Sequence, residues 1–364
     1  MSMPDASQSE REAAVLDRIE AFRRRRPTLK DEVVTLAHGA GGKASAALVG
    51  EVFVNAFAAE PGPLPDAAIL TLESGERLAF STDSFVVKPL RFPGGSIGHL
   101  AVHGTVNDLA MQGADPRWLS AAFVIEEGFP VSELRLVAAD MAEAAGAAGV
   151  AIVTGDTKVV GRGAADGLFI TTAGVGVIPV GCELGPERVR AGDVLLVSGT
   201  IADHGMAVML ARGDLALEAD IRSDTAPLGG LVADLLAAAP GTHWLRDPTR
   251  GGVGTVCNEL AHDSGFGVAI DESALPIDPA VTGACDLLGI DPLYVANEGK
   301  LIAVVDATDA DAALDALRSH PLGAAAARIG EIVADPPRIV VLRTTFGGTR
   351  IVDMLVGDPL PRIC

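Results

Sequence analysis

Aromatic residues make up only 4% of this chain. Its core therefore has to be filled by aliphatic side chains rather than by packed rings. Cysteine is equally sparse. The four thiols, Cys182, Cys257, Cys285 and Cys364, show no paired spacing, which excludes a disulfide framework and a zinc ribbon and fits a reducing cytoplasm. No apolar run reaches the ~18 residues of a membrane-spanning helix, and the N-terminus lacks the apolar centre of a secretory signal. Positive charge is in short supply too. Lysine and arginine number 28 against 48 acidic residues, a net charge of −20. Such a surface repels nucleic acid and anionic membranes, so neither is expected as a partner. It does not exclude ATP, because phosphate sites are local and magnesium screens carboxylates.

What is present is ample core material. Hydrophobic residues form 49% of the 364, enough for about two domains at ~100–200 residues each. The expected division is an N-terminal extension over 1–34, a first domain over 35–185, a second over 186–345, and a C-terminal tail over 346–364. In the extension, Ala14, Leu16, Ile19 and Phe22 are spaced for a short amphipathic helix that Pro27 ends. Both halves mix strands with helices without the strict alternation of a doubly wound sheet, so the fold class is α+β.

Three kinds of motif carry chemistry. The first is glycine-rich. His38-Gly39-Ala40-Gly41-Gly42-Lys43 exposes backbone N–H groups beside a lysine, as a phosphate cradle would, although its spacing is not that of a Walker A loop. A plain glycine turn before the helix at 44–57 fits equally well. Asp247-Pro248-Thr249-Arg250-Gly251-Gly252-Val253 joins a strand to a helix N-terminus and adds an arginine for a charged group. The second kind is acidic. Asp83 and Asp156 are read as standing at strand ends, and Asn107-Asp108 lies in an otherwise apolar helix capped by Ser96. Magnesium is the natural common partner of Asp83, Asp108 and Asp156; three separate capping or turn residues are the competing reading. His99 and His103 share a face of the same helix, but Leu100 stands where a zincin helix carries its glutamate, so packing is expected of them.

The third motif is the terminus, Pro359-Leu360-Pro361-Arg362-Ile363-Cys364. Its last residue is a thiol, on a segment that two prolines keep out of a helix. Extended, it reaches roughly 20 Å from Asp358 at ~3.3 Å per residue. Prenylation is excluded, since that signal needs the cysteine four residues from the end. An incidental exposed thiol is the plain alternative to a carrier arm.

Taken together, Gly39-Ala40-Gly41-Gly42, Gly104-Thr105-Val106-Asn107-Asp108-Leu109-Ala110, Thr154-Gly155-Asp156-Thr157-Lys158-Val159-Val160, the Asp247–Val253 stretch, Asn297-Glu298-Gly299-Lys300 and the terminal Pro361-Arg362-Ile363-Cys364 occur in the order found in a known family. Over about residues 35–364 the chain resembles the HypE family of hydrogenase maturation factors, also called carbamoyl dehydratases. That family belongs to the superfamily of aminoimidazole ribonucleotide synthetase, formylglycinamidine synthetase and selenophosphate synthetase. The residues before ~30 depart from the pattern.

The resemblance implies a two-domain aminoimidazole ribonucleotide synthetase-like fold, a homodimer closed by a barrel-like sheet, and ATP near that interface. It also implies a sequence of steps. HypF transfers a carbamoyl group to the Cys364 thiolate. The carbamoyl oxygen then attacks the γ-phosphate of ATP. Loss of phosphate and of the nitrogen's protons leaves a thiocyanate, and the cyano group passes to the HypC–HypD complex as a cyanide ligand of nickel–iron hydrogenase. Asp83, Asp108 and Asp156 would hold Mg2+. Gly39, Gly41, Gly42, Lys43, Asn107, Asp108, Thr157, Arg250, Gly251 and Gly252 would contact the nucleotide or position the tail. Lys158 and Glu298 would activate the carbamoyl group and take its protons. Another ATP-dependent member, such as a selenophosphate synthetase or an amidine-forming ligase, is the alternative. The first needs an N-proximal cysteine, and none precedes Cys182. An inactive scaffold is a further alternative, against which the intact motifs count.

Overall fold

The computed structural model describes residues 28–57, 64–213 and 219–355. The helix expected around Ala14 to Phe22 and the terminal Cys364 lie outside these residues.

Two sheets organise the chain. The first contains β1 (Ala68–Thr71), β2 (Arg77–Phe85), β5 (Asp115–Glu126), β6 (Ala151–Val160) and β7 (Leu168–Ile178), in the order β1-β2-β7-β5-β6. Only β5 and β6 run parallel; the other pairs are antiparallel. A small hairpin of β3 (Arg91–Phe92) and β4 (Gly95–Ser96) leads into the first long helix. The second sheet holds β8 (Val194–Val197), β9 (Thr242–Arg246), β10 (Gly267–Asp271), β11 (Ile302–Val305), β12 (Ala327–Val333), β13 (Val340–Arg343) and β14 (Thr349–Val352). Its order is β14-β13-β10-β12-β8-β11-β9. The α+β class agrees with the sequence reading.

Helix α1 (Lys43–Leu48) follows the first glycine run. Helix α2 (Ile97–Met111) and helix α3 (Val131–Ala148) cover one face of the first sheet. α2 is mostly apolar and is buried at every position but His99 and Asp108, so its few polar side chains sit in the interior rather than on a solvent face. The hydroxyl oxygen of Ser96 accepts from the Gly98 N–H at 3.2 Å and caps it. Gly104 lets α2 sit directly on the sheet: a Cβ there would lie 2.9 Å from the Phe85 ring. β7 alternates buried and open positions along its length, as a strand with one covered face does.

Two boundaries differ from expectation in a way that matters for the site. Asp83 is not a strand end but lies inside β2, and Asp156 lies in the middle of β6. The thermodynamic drive to pair backbone groups carries both strands past their acidic residue, because neighbouring strands supply continuous ladders. β5 was not anticipated at all.

Candidate functional site

The site forms where the C-terminal half of α2 meets the second domain. Asn107 joins the two. Its amide donates to Ala226 O at 3.0 Å and to Glu298 O at 3.2 Å, and its carbonyl oxygen accepts from Leu228 N at 2.8 Å. This corrects the assignment of Asn107 to the nucleotide. Its side chain is fully engaged with backbone and holds the domains in register.

At the next residue, the Asp108 carboxylate accepts from the Ser81 hydroxyl at 2.6 Å. Asp66, Asp108 and Asp247 converge there, each offering a carboxylate oxygen within 4.8 Å of the others. Arg246, from β9, holds Asp66 at 2.8 Å and Glu259 at 3.1 Å. Burial pushes the carboxyls of Asp66, Asp108 and Asp247 above their usual range. Their mutual repulsion adds to the rise at Asp66 and Asp108. One oxygen of Asp66 is buried without a hydrogen bond. Three crowded carboxylates with an unpartnered oxygen suit a hard divalent cation.

Asp83 lies close by on the same helix-covered face of the sheet, at 3.1 Å from the Arg250 guanidinium. Burial raises its carboxyl and Arg250 opposes the rise. The two glycine-rich stretches meet at Arg250. Gly41 has φ of +80°, and a Cβ on it would lie 2.7 Å from Arg250 Cβ. Gly251 and Gly252 also have positive φ, and a Cβ on Gly252 would press on the Leu293 and Val295 carbonyls at 2.5 and 2.7 Å. Gly39 has open space about it.

Gly42 and Lys43 face a different partner. The Lys43 N–H donates to Leu355 O at 3.0 Å, and its ammonium pairs with Asp353 at 2.7 Å. Gly42 approaches the Leu355 carbonyl so closely that no Cβ fits. The Tyr294 hydroxyl donates to Asp353 O at 2.8 Å. The lysine read as a phosphate ligand thus grips the segment that leads into the C-terminal tail.

Glu298 is 4% exposed, and its Oε1 is buried without a hydrogen bond. Burial first, then the nearby Asp247 and Asp83, raise its carboxyl well above the usual range.

Asp156, Thr157 and Lys158 are elsewhere in the single chain. Strand register puts Asp83 opposite Thr172, Thr172 opposite Ala121, and Ala121 opposite Gly155. Asp156 is the next residue, so it points to the opposite face of the sheet. Three strand spacings, roughly 14 Å, also separate it from Asp83. It is exposed and paired with Lys158, which holds its carboxyl below the usual range. Within one chain, Asp83 and Asp108 therefore join Asp66 and Asp247, not Asp156. The one signal for Asp247 was available: an aspartate directly after a strand, the criterion applied to the other two. Asp66 carried no such signal.

The other thiols are unsuited to nucleophilic work. Burial pushes Cys257 up to about 12, Cys285 up to about 11, and Cys182 upward as well.

Residues 65–178 match the family AIR synthase related protein, N-terminal domain, and residues 190–342 match the corresponding C-terminal domain. The carbamoyl dehydratase HypE of Rhodobacter capsulatus is 58% identical over 340 residues, covering 92% of this chain and 99% of that protein. Among solved structures, that of a HypE–HypF complex superposes with a TM-score of 0.80 at 48% identity, covering 85% of this chain and 100% of the other. A HypE structure in complex with ATP gives 0.76 at 46% identity, covering 91% and 100%. With its two matched domains, its carboxylate and arginine site and this identity along nearly the whole length of a relative, the chain belongs to the carbamoyl dehydratase HypE family.

Proposed function

We propose that this chain uses ATP to dehydrate a carbamoyl group carried on Cys364 to a thiocyanate, the precursor of a cyanide ligand of nickel–iron hydrogenase. The observation that carries the reading is the seat of Leu355. It rests on the Gly41–Lys43 run, which packs in turn on Arg250 beside Asp83. Cys364 lies nine residues beyond Leu355, a span of at most roughly 30 Å at ~3.3 Å each, which supports a terminal thiol able to reach the carboxylate centre. The raised thiols of the other three cysteines leave the nucleophile's role to Cys364.

Mg2+, held by Asp66, Asp108 and Asp247 with Asp83 alongside, would neutralise charge on the nucleotide's phosphates. Arg250, with the Gly39 and Gly41 turn and the Gly251–Gly252 helix start, serves the same phosphates. Glu298 takes a proton from the carbamoyl nitrogen as its oxygen is phosphorylated and lost. HypF, seen with a relative in a complex, is the donor of the carbamoyl group, and HypC–HypD the acceptor of the cyano group.

The homodimer belongs to the same proposal. Ala68, Phe80, Val175, Trp118 and Ala151 form one transverse row across the uncovered face of the first sheet. A second copy would cover that face and give Asp156, Thr157 and Lys158, on the exposed edge strand β6, their place in the site.

Intact-mass measurement tests the reading. Wild type supplied with HypF, carbamoyl phosphate and ATP should pass through the carbamoylated form to one lighter by a water. Cys364→Ala should fold, bind ATP and gain neither mass. Thiocyanate formation by Cys364→Ala would overturn it.

A further inference from the structure

Lys300, the last residue of the Asn297-Glu298-Gly299-Lys300 motif, has no part in the function described so far. It leads to a second buried pair. Residues 223–228 form a strap without helix or strand. The Ser223 N–H donates to Pro93 O at 2.8 Å at one end of it, and Asn107 holds Ala226 and Leu228 at the other. Asp224 lies between these ties, with its side chain 3% exposed. Its Oδ1 accepts from the Glu298 N–H at 3.1 Å, and its Oδ2 from the Gly299 N–H at 3.3 Å. The Lys300 ammonium lies 3.3 Å from the same Oδ2. Three consecutive residues thus converge on one carboxylate. Two glycines permit the approach. Gly299 sits so close to the Asp224 carbonyl that no Cβ fits, and a Cβ on Gly199 would lie 2.7 Å from Lys300 Cε.

The Glu298 peptide is held from both sides. Asp224 takes its N–H, and the Asn107 amide takes its carbonyl oxygen at 3.2 Å. Asn107 directly precedes Asp108 of the carboxylate centre, so this second hold ties Glu298 to that centre. Asn297 fixes the approach to Glu298: its amide donates to Pro248 O at 3.0 Å and its carbonyl oxygen accepts from the Ala202 N–H at 2.8 Å. The Glu298 carboxylate itself makes no hydrogen bond through Oε1. Its aim therefore comes from the backbone that carries it. We propose that Asp224, braced by Lys300, is a positioning residue that sets the orientation of Glu298 toward the reacting group. The inference rests on the reading of Glu298 as the base for the carbamoyl nitrogen. A charged acceptor holds a backbone N–H about twice as strongly as a neutral one, and burial against a lysine keeps this acceptor in place.

Single-turnover conversion of the carbamoylated full chain with Mg2+–ATP tests it. Asp224→Asn keeps the shape but sets a donor where one acceptor stood. It should slow conversion ~10²-fold, the cost of a misplacement of about 1 Å. The ATP concentration at half-maximal rate and carbamoyl loading by HypF should stay as in wild type. In a Glu298→Gln background the same change should slow conversion no further, because Asp224 acts through Glu298. A general structural loss would slow both backgrounds alike. Lys300→Gln is the milder variant and should show the same pattern, with a several-fold slowing. Hydrogen exchange supplies a readout apart from activity. In Asp224→Asn it should quicken at the Glu298 and Gly299 amides and stay unchanged at Leu228, whose amide Asn107 holds. Wild-type conversion by Asp224→Asn, equal slowing in both backgrounds, or unchanged exchange at the two amides would each overturn the assignment. The underlying reading fails separately: Glu298→Gln converting at the wild-type rate sinks Glu298 as the base, while faster exchange in Asp224→Asn would still identify the hold on its peptide.

Discussion

Asp108 draws its chemistry from its neighbours. An isolated aspartate in an apolar helix would be a fault; here it faces Asp66 and Asp247 across less than 4.8 Å and is tied to Ser81. Burial and repulsion make these carboxyls bind protons more tightly than they do in the unfolded chain. The folded state therefore keeps protons that the unfolded state releases above about pH 4, and stability contributed by this cluster falls as pH rises. A bound cation reverses that loss. Magnesium should therefore raise Tm more at pH 8 than at pH 5, as read by calorimetry. Asp108→Asn removes one of the repelling charges. It should leave Tm without magnesium unchanged or higher, abolish most of the magnesium-dependent gain, and weaken Mg2+–ATP binding by at least ~10-fold, the sign expected when a hard-cation site loses a ligand charge. A stabilisation by magnesium equal to that of wild type would return Asp108 to a structural role.

At the level of elements, the glycine run before α1 does two jobs at once. Gly41 yields to the Arg250 backbone, and Gly42 yields to the Leu355 carbonyl. The tail's base is thereby fastened to the loop that carries the arginine. Gly42→Ala places a methyl group where Leu355 O sits, so the Lys43 N–H loses its acceptor. The expected result is faster hydrogen exchange at the Lys43 amide and slower conversion of the carbamoylated form, by several-fold, with HypF loading intact. The milder Tyr294→Phe removes only the hydroxyl bond to Asp353 O and should show the same change to a smaller degree. Unaltered exchange at Lys43 in Gly42→Ala would mean that this contact is not held in solution.

At the scale of the whole molecule, the first sheet presents an apolar face that none of the described residues covers. Phe80 and Trp118, in the same transverse row, are 42% and 49% exposed. Strand β6 is open along both its faces. A pair of copies joined there would bury this row and close the sheet's free edge. Trp118→Asp sets a charge in the middle of the row. Sedimentation should then move from twice the 37.2 kDa of one chain to a single chain, and ATP turnover should fall if Asp156, Thr157 and Lys158 act across the pair. A variant that remains paired would rule out this face as the contact.

Much of this was legible in the sequence. Strands mixed with helices in two blocks, without strict alternation, set the α+β class, and the apolar, Ser96-capped run set α2, because local periodicity and capping act within a few residues. The motifs likewise named Asp83, Asp108, Arg250 and Glu298 before any fold was in hand. What the linear order could not carry was company. Asp66 and Asp247 lie 181 residues apart in the chain and meet only because β9 of the second sheet passes the end of α2. Asp156 looked equivalent to Asp83 in sequence, yet strand register turned it to the other face of the sheet, where one residue's offset decides the side. Lys43 read as a phosphate ligand until Leu355, more than three hundred residues later, took its amide. Residue types with their local spacing determined which chemistry was available. Long-range packing alone, which brings distant backbone within hydrogen-bonding distance, decided which of those groups share a site.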